Sequence, residues 1–168
     1  FYLAILSILF GLWSFNETMG AIILFKDRVA CSFMAFVLLK LISPTLVLFT
    51  REFAGAQKGL AWEIFSRFMV VEAVITISMH MVGIMDLKES VLSTHIILVV
   101  SMIYTIGIVI IAHKKKQITE HVEIYLFAEV VVVIAAIAVF VNYYLGGSHM
   151  DIAGRIGFFI FALLASSQ

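Results

Sequence analysis

The chain has 168 residues, of which 63% are hydrophobic and only 13% are charged, and its net charge at pH 7 is zero. A soluble domain averages about 45–50% apolar and about 25% charged residues and could not bury this much apolar surface, so the composition excludes a soluble enzyme domain and a disordered segment. The sequence has no basic arm, and nucleic-acid-binding proteins need clustered lysine and arginine residues to contact phosphates, so a nucleic-acid-binding function is excluded. We therefore expect the lipid bilayer to be the main partner of the chain.

Six stretches are long and apolar enough to cross a bilayer as helices, since a spanning helix needs about 20 mostly apolar residues. In chain order they are Phe1 to about Phe25, Val29 to Thr50, Leu60 to Gly83, Val91 to Ala112, Val122 to Leu145, and Ile152 to the last residue. The run Val-Val-Val-Val-Ile-Ala-Ala-Ile at residues 130–137 does not alternate as a membrane β-strand would. The sequence predicts an all-α transmembrane bundle, with residues 1–168 forming one domain.

The connections between these stretches are short and alternate between the two sides of the membrane. Lysine and arginine accumulate on the cytoplasmic side, and the densest cluster is Lys114–Lys116, between the fourth and fifth spans. This cluster predicts that both ends of the chain lie in the cytoplasm. Because the first residue already lies inside an apolar run, we also expect the chain to be a fragment of a longer protein.

Ionisable side chains within the predicted spans form the main candidate site. Each costs at least about 2.5–3.5 kcal/mol at mid-membrane, so each should face the bundle and contact a partner. Similar depth in antiparallel spans predicts one pair between Lys40 and Glu72 and another between Arg67 and Glu129. Glu17, with Asn16 beside it, has no obvious partner of opposite sign. The candidate residues are Asn16, Glu17, Lys40, Pro44, Arg67, Glu72 and Glu129.

Three interpretations of these buried charges stay open. The pairs could be structural locks that fix helix register, or elements that switch between two arrangements during signalling. A proton or ion path is the third, although such a path would need acids along the bundle axis that are not matched by cations. Pro44 removes a backbone donor and predicts a kink, which serves either packing or a hinge.

The sequence shows no catalytic set and no phosphate-binding glycine loop. The histidines His80 and His95, like His113 and His121, lack the spacing of a same-face metal-ligand pair. Haem would need histidines at matched depths in facing spans, and we expect aromatic or interfacial packing for His80 and His95, at the membrane edge, instead. Cys31 is expected to pack in the interior. We therefore predict no catalytic residue, no metal and no cofactor.

Two motifs carry a resemblance to a known family. The first is Gly-Leu-Trp-Ser-Phe-Asn-Glu at residues 11–17, and the second is Ile-Ser-Pro-Thr-Leu-Val-Leu-Phe-Thr-Arg-Glu-Phe at residues 42–53. With the closing Ile-Gly-Phe-Phe-Ile-Phe-Ala at residues 156–162, they resemble bacterial seven-transmembrane receptors with diverse intracellular signalling modules, particularly those attached to GGDEF diguanylate cyclases. This chain has six predicted spans, so the resemblance implies that the first span of the family is missing.

The resemblance implies a sensor that is not itself an enzyme. It implies that the bundle binds an unknown small ligand or follows an extracellular sensor domain, and relays the signal to a cytoplasmic output domain in the same chain. That output domain would be a diguanylate cyclase, otherwise a histidine kinase, in a homodimer in the bacterial inner membrane.

Two other functions stay open at this stage. A transporter or channel fragment predicts a water-filled cavity lined by Glu17, Glu72 and Glu129, and flux in liposomes, although no internal repeat supports it. A cofactor-binding membrane subunit predicts a bound chromophore.

Overall fold

The computed structural model describes residues 1–17, 19–54, 60–116, 122–145 and 151–166. Within these ranges all regular secondary structure is helical. The helices are α1 (Tyr2–Glu17), α2 (Met19–Phe25), α3 (Arg28–Phe53), α4 (Leu60–Met81), α5 (Leu87–Lys114), α6 (Val122–Leu145) and α7 (Asp151–Ser166). Helices α3, α4, α5 and α6 are each long and apolar enough to cross a membrane, and α1 and α7 are shorter apolar helices. The predicted all-α bundle of transmembrane type is confirmed.

The helix boundaries follow the predicted spans closely. Helix α6 has the predicted bounds, and α3, α4, α5 and α7 begin and end within a few residues of them. The first predicted span is covered by α1 and α2, which lie on either side of residue 18, a position outside the described ranges.

The chain reverses direction between α2 and α3, and Asp27 caps the N-terminus of α3. Lys26 has a positive φ of 54°. The carboxylate of Asp27 then accepts hydrogen bonds from the backbone N–H groups of Val29 and Ala30, at 2.9 and 3.1 Å. These are two of the orphan donors that every helix N-terminus leaves, so the aspartate stabilises the start of α3 where the chain turns back.

Helix α3 is the centre of the bundle. It packs against α1, α4 and α5, whereas α6 packs against α5 and α7, and α7 also contacts α1. In the most apolar stretch of α3, 61% of the residues are buried, compared with 22% in α4 and in α6. The core therefore lies between α1, α3, α5, α6 and α7, and α4 flanks α3 on the outside.

The outer surface of α4 is apolar. Ile64, Phe68, Val71 and Ile75 recur at helical spacing, and each exposes more than half of its surface. Soluble proteins rarely expose contiguous apolar patches larger than a few hundred Å². Such a stripe is suited to contact with lipid, and with the long apolar helices it indicates a membrane protein.

Helices α6 and α7 approach each other closely at a glycine. A Cβ atom built on Gly157 would lie 2.5 Å from the Cβ of Ala135, a distance that no real side chain accepts. Small residues allow such close backbone approach between helices in membranes. Gly157 therefore sets the distance between α7 and α6, and so how tightly α7 closes the bundle.

Candidate functional site

A buried ion pair joins α3 to α4. The Nζ atom of Lys40 lies 2.5 Å from Oε1 of Glu72, and the two side chains are 1% and 17% exposed. The hydroxyl of Thr76 lies 2.9 Å from the same carboxylate oxygen. The predicted contact between Lys40 and Glu72 is confirmed, and it follows from the antiparallel packing that brings the midpoints of α3 and α4 to one level.

The predicted contact between Arg67 and Glu129 is wrong. Arg67 instead donates to Glu63, one turn earlier on α4, with an Nη2 to Oε1 distance of 2.5 Å, and the two side chains are 75% and 50% exposed. Arg67 and Glu72 are five residues apart, which separates them by about 140° around a helix. The face that brings Glu72 to α3 therefore turns Arg67 outward, where a long side chain can reach the membrane surface.

Asn16 links α1 to the first turn of α3. Its Nδ2 group donates to the backbone carbonyl of Cys31 at 2.6 Å, in a buried position. The thiol of Cys31 is also buried, which agrees with the packing role expected for it. The side chain of Glu17 lies outside what the structure describes.

Pro44 lies inside α3, one turn beyond Lys40, and the helix continues through it to Phe53. Proline has no backbone N–H, so the carbonyl of Lys40 loses the helical donor that position 44 would otherwise supply. The helix therefore has an interrupted hydrogen-bond ladder at the level of the ion pair.

A cavity of about 160 Å³ lies in the core between α1, α3, α5, α6 and α7. Its lining is mainly aliphatic and aromatic, with Leu6 from α1, Met102 from α5 and Phe158 from α7 among the contributors. The ionisable groups in the lining are His95 from α5 and Glu129 from α6. The cavity combines an apolar wall with one buried carboxyl group, which is the composition of a small-molecule pocket.

Glu129 is buried beside two hydroxyl groups, those of Thr105 and Tyr125, but one of its carboxyl oxygens has no hydrogen bond of good geometry among the described residues. Its side chain is 1% exposed, and the hydroxyl of Thr105 on α5 donates to Oε1. Within the described part of the chain, Oε2 has no hydrogen-bond partner. A buried acceptor without a partner costs about 1–3 kcal/mol, and more when it is charged. Thr105 could have been predicted as a partner of Glu129 by comparing the depths of hydroxyl-bearing residues, and not only of cations, in the neighbouring helices.

The histidines His80 and His95 both pack on aromatic rings. His80 stacks on Phe33 with ring centroids 5.2 Å apart, and His95 stacks on Phe140 at 3.9 Å. The Nδ1 atom of His95 also lies 3.3 Å from the hydroxyl of Tyr144. Of the two kinds of packing predicted for His80 and His95, aromatic and interfacial, the aromatic one is confirmed. Among the described residues, no group of three His, Cys, Asp or Glu side chains could hold a metal ion.

An aromatic cluster lies beyond the cavity, near the end of α3 and the start of α6; we define it as Phe49, Phe53, Tyr125 and Phe161. Tyr125 is fully buried and stacks on Phe53 at 4.2 Å. Its hydroxyl lies 2.7 Å from that of Thr50 on α3. Phe161 of α7 lies in both the cavity wall and the cluster, so α7 contacts the two regions through one side chain.

Helix α7 has a second aromatic contact along the cavity. Phe158 stacks on Phe10 of α1 with centroids 3.7 Å apart and nearly parallel planes. These aromatic contacts do not follow from the positions of the charged residues. The sequence signal for them is the repeated phenylalanine in Phe-Thr-Arg-Glu-Phe at residues 49–53 and in Phe-Phe-Ile-Phe at residues 158–161.

Comparisons with known proteins give no match. No protein-family model, curated protein or solved structure matches this chain. The buried ion pair, the cavity and the contacts of α7 are therefore the observations from which function is inferred. The resemblance to seven-transmembrane receptors stays a prediction.

Proposed function

We propose that the chain is the membrane-embedded sensor region of a signalling protein. The observation that carries this proposal is that α7 forms part of the wall of the central cavity through Gly154, Phe158 and Phe161. A change of occupancy in the cavity would act directly on the helix that lies nearest to a following output domain. In this proposal the bundle itself performs no chemistry.

The mechanism needs two arrangements of the bundle. A ligand shifts the equilibrium only if it binds one arrangement more tightly than the other. The Lys40–Glu72 pair supports one arrangement, and it lies beside the interrupted ladder at Pro44, where α3 has one backbone hydrogen bond fewer to hold it straight. Movement of α3 would reach α7 through the aromatic cluster, in which Phe49 contacts Phe161.

The output domain in this proposal follows α7 in the same chain and lies in the cytoplasm. Its identity rests on the resemblance of residues 11–17 and 42–53, which favours a GGDEF diguanylate cyclase that makes cyclic di-GMP, otherwise a histidine kinase. The same resemblance implies a homodimer, which the proposal includes. Where the gene continues after codon 168, the proposal expects a soluble signalling domain, and a further set of spans there would contradict it.

The topology of the proposal is that of a multi-pass protein of the bacterial inner membrane, with the lysine cluster in the cytoplasm. Helix α5 has 28 residues, which is long enough to cross the bilayer, and Asp86 and Lys115 flank it. We propose to label the variants Asp86→Cys and Lys115→Cys in intact cells with a membrane-impermeant maleimide. The variant at 86 should react and the variant at 115 should not. The native Cys31 is buried and should add little background.

The signalling proposal is tested on the full-length protein in lipid nanodiscs, with the activity of its output domain as the readout. Lys40→Met and Glu72→Met should each change the basal output several-fold because each removes one side of the lock. The matched control is Arg67→Ala, which breaks an ion pair of equal length on the outer surface and should leave output unchanged. Equal effects of all three changes would contradict the proposal, as would ion flux through the bundle in liposomes.

A further inference from the structure

We propose that the central cavity is a binding site for a single-ring, mainly apolar molecule that carries one hydrogen-bond donor, and that this donor binds Oε2 of Glu129. We infer binding from the cavity and its lining, independently of the proposed sensor function. Only the further claim that the bound molecule is the signal rests on that proposed function.

The volume of the cavity sets the size of the ligand. At about 160 Å³ it is close to the roughly 150 Å³ of an engineered apolar cavity that holds benzene. A single six-membered ring with one small substituent has a volume that such a space can hold. The aromatic wall, with Phe158 and Phe161 from α7, suits the face or edge of a ring.

The lone carboxyl group sets the chemistry of the substituent. Oε1 of Glu129 is already bonded to Thr105, and Oε2 has no partner within the part of the chain that the structure describes. A hydroxyl or amine on the ligand would satisfy this oxygen. A ligand without a donor would leave it unpaired, and a carboxylate ligand would bring a second acid into the same apolar space.

The remaining polar wall supports the same orientation. His95 stacks on Phe140 and lies close to the Tyr144 hydroxyl, so it is already engaged with protein groups. Oε2 of Glu129 is therefore the polar atom in the lining to which the ligand donor is assigned. The ring of the ligand would then lie against the cavity wall that includes the stacked pair Phe10 and Phe158.

The first test compares two probes of nearly equal shape, 4-fluorophenol and 4-fluorotoluene, by ¹⁹F NMR titration of the full chain in nanodiscs. The comparison is made in the wild type and in Glu129→Leu, so that partition of either probe into lipid cancels. We expect the affinity for 4-fluorophenol to fall about tenfold in Glu129→Leu, as for the loss of one hydrogen bond to a buried acid. The affinity for 4-fluorotoluene should be unchanged or higher. Equal changes for both probes would overturn the assignment to Glu129.

The second test asks whether the probes occupy this cavity. Ala136 lines it, so Ala136→Leu should fill part of the space and abolish binding of both probes. The matched control is Ala4→Leu, the same substitution on the exposed face of α1, which should bind like the wild type. Retained binding in a folded Ala136→Leu protein would overturn the proposal. If that variant does not fold, the Glu129→Leu comparison decides. Binding of 4-fluorobenzoate as tight as that of 4-fluorophenol would also overturn the proposal.

Failure of this inference is distinguishable from failure of the sensor proposal. Specific binding of 4-fluorophenol without any change in output from the full-length protein would support the site and contradict its role as the signal receptor. If 4-fluorophenol still changed the output of the Ala136→Leu variant, the signal would be sensed at another place, and the cavity would not be the sensing site.

Discussion

Two ion pairs of the same length lie in very different surroundings in this molecule. Lys40 and Glu72 come from different helices and are nearly buried, whereas Arg67 and Glu63 lie on one helix and are largely exposed, yet both pairs have an N to O distance of 2.5 Å. The interhelical pair fixes which helices are neighbours and at what depth. The pair within α4 leaves the arrangement of the bundle undetermined.

The two ion pairs differ in the dielectric constant of their surroundings and in whether they join two helices or lie within one. Charges removed from water attract each other strongly, but each has lost its hydration, so losing one partner leaves an uncompensated charge. Charges at the surface are screened and flexible, and their pairs contribute about 0–1 kcal/mol. The contact distance alone therefore does not indicate how much an ion pair stabilises the fold.

The largest expected effect is that of Lys40→Met. It leaves the carboxylate of Glu72 buried without its cation, so the free energy of unfolding should fall by about 3–5 kcal/mol. The double variant Lys40→Met with Glu72→Met should recover most of this loss, because two apolar side chains of similar size replace the pair. Unfolding of the purified protein in bicelles measures the three values. A double variant no more stable than either single change would show that the pair is not coupled.

A neutral contact between helices should have an intermediate effect. Thr50→Val removes one hydrogen-bond partner of Tyr125, which is fully buried, lies on α6 and also has Glu129 close to its hydroxyl. Interhelical hydrogen bonds in membranes contribute roughly 0.5–2 kcal/mol, so we expect a loss in that range. The same unfolding assay measures it, and Tyr125→Phe together with Thr50→Val should cost less than the sum of the two single changes. Additive losses would indicate that the two hydroxyls do not interact.

The smallest effect is expected for Arg67→Ala. Its partner Glu63 lies in the first turn of α4, where water at the membrane surface can reach the carboxylate when the cation is removed, so the free energy of unfolding should fall by at most about 1 kcal/mol. Raising the salt concentration should reduce even this difference. A loss as large as that of Lys40→Met would break the comparison and would indicate that Arg67 contacts another group in the assembled protein.

The prediction from depth succeeded for Lys40 and failed for Arg67 for a definable reason. Depth along a helix is read directly from residue number, because each residue adds about 1.5 Å. The direction in which a side chain points also depends on the angle around the helix, and Glu72 and Arg67 cannot both face α3. Because Glu72 faces Lys40, the rotation of about 140° around α4 points Arg67 away from α3. Arg67 then lies close to Glu63, at the favourable spacing of four residues.

The candidate site was only partly accessible from sequence. Glu129 was found, because a carboxylate in an apolar run is conspicuous, but its partner Thr105 was not, because threonine is unremarkable in a membrane helix. The cavity could not be predicted from the sequence. It is a space left between side chains of five helices, and its volume depends on how closely those helices approach one another.

The sequence by itself determined the class of the molecule, the positions of its long helices and the depth of its charged residues. These properties follow from composition and local periodicity, since a backbone in lipid must satisfy its hydrogen bonds within each segment. The tertiary structure decided which charges meet, that Glu129 faces a cavity, and that α7 closes it. Those outcomes depend on the rotation of each helix and on the packing of distant residues such as Gly157 against Ala135, which no local pattern encodes.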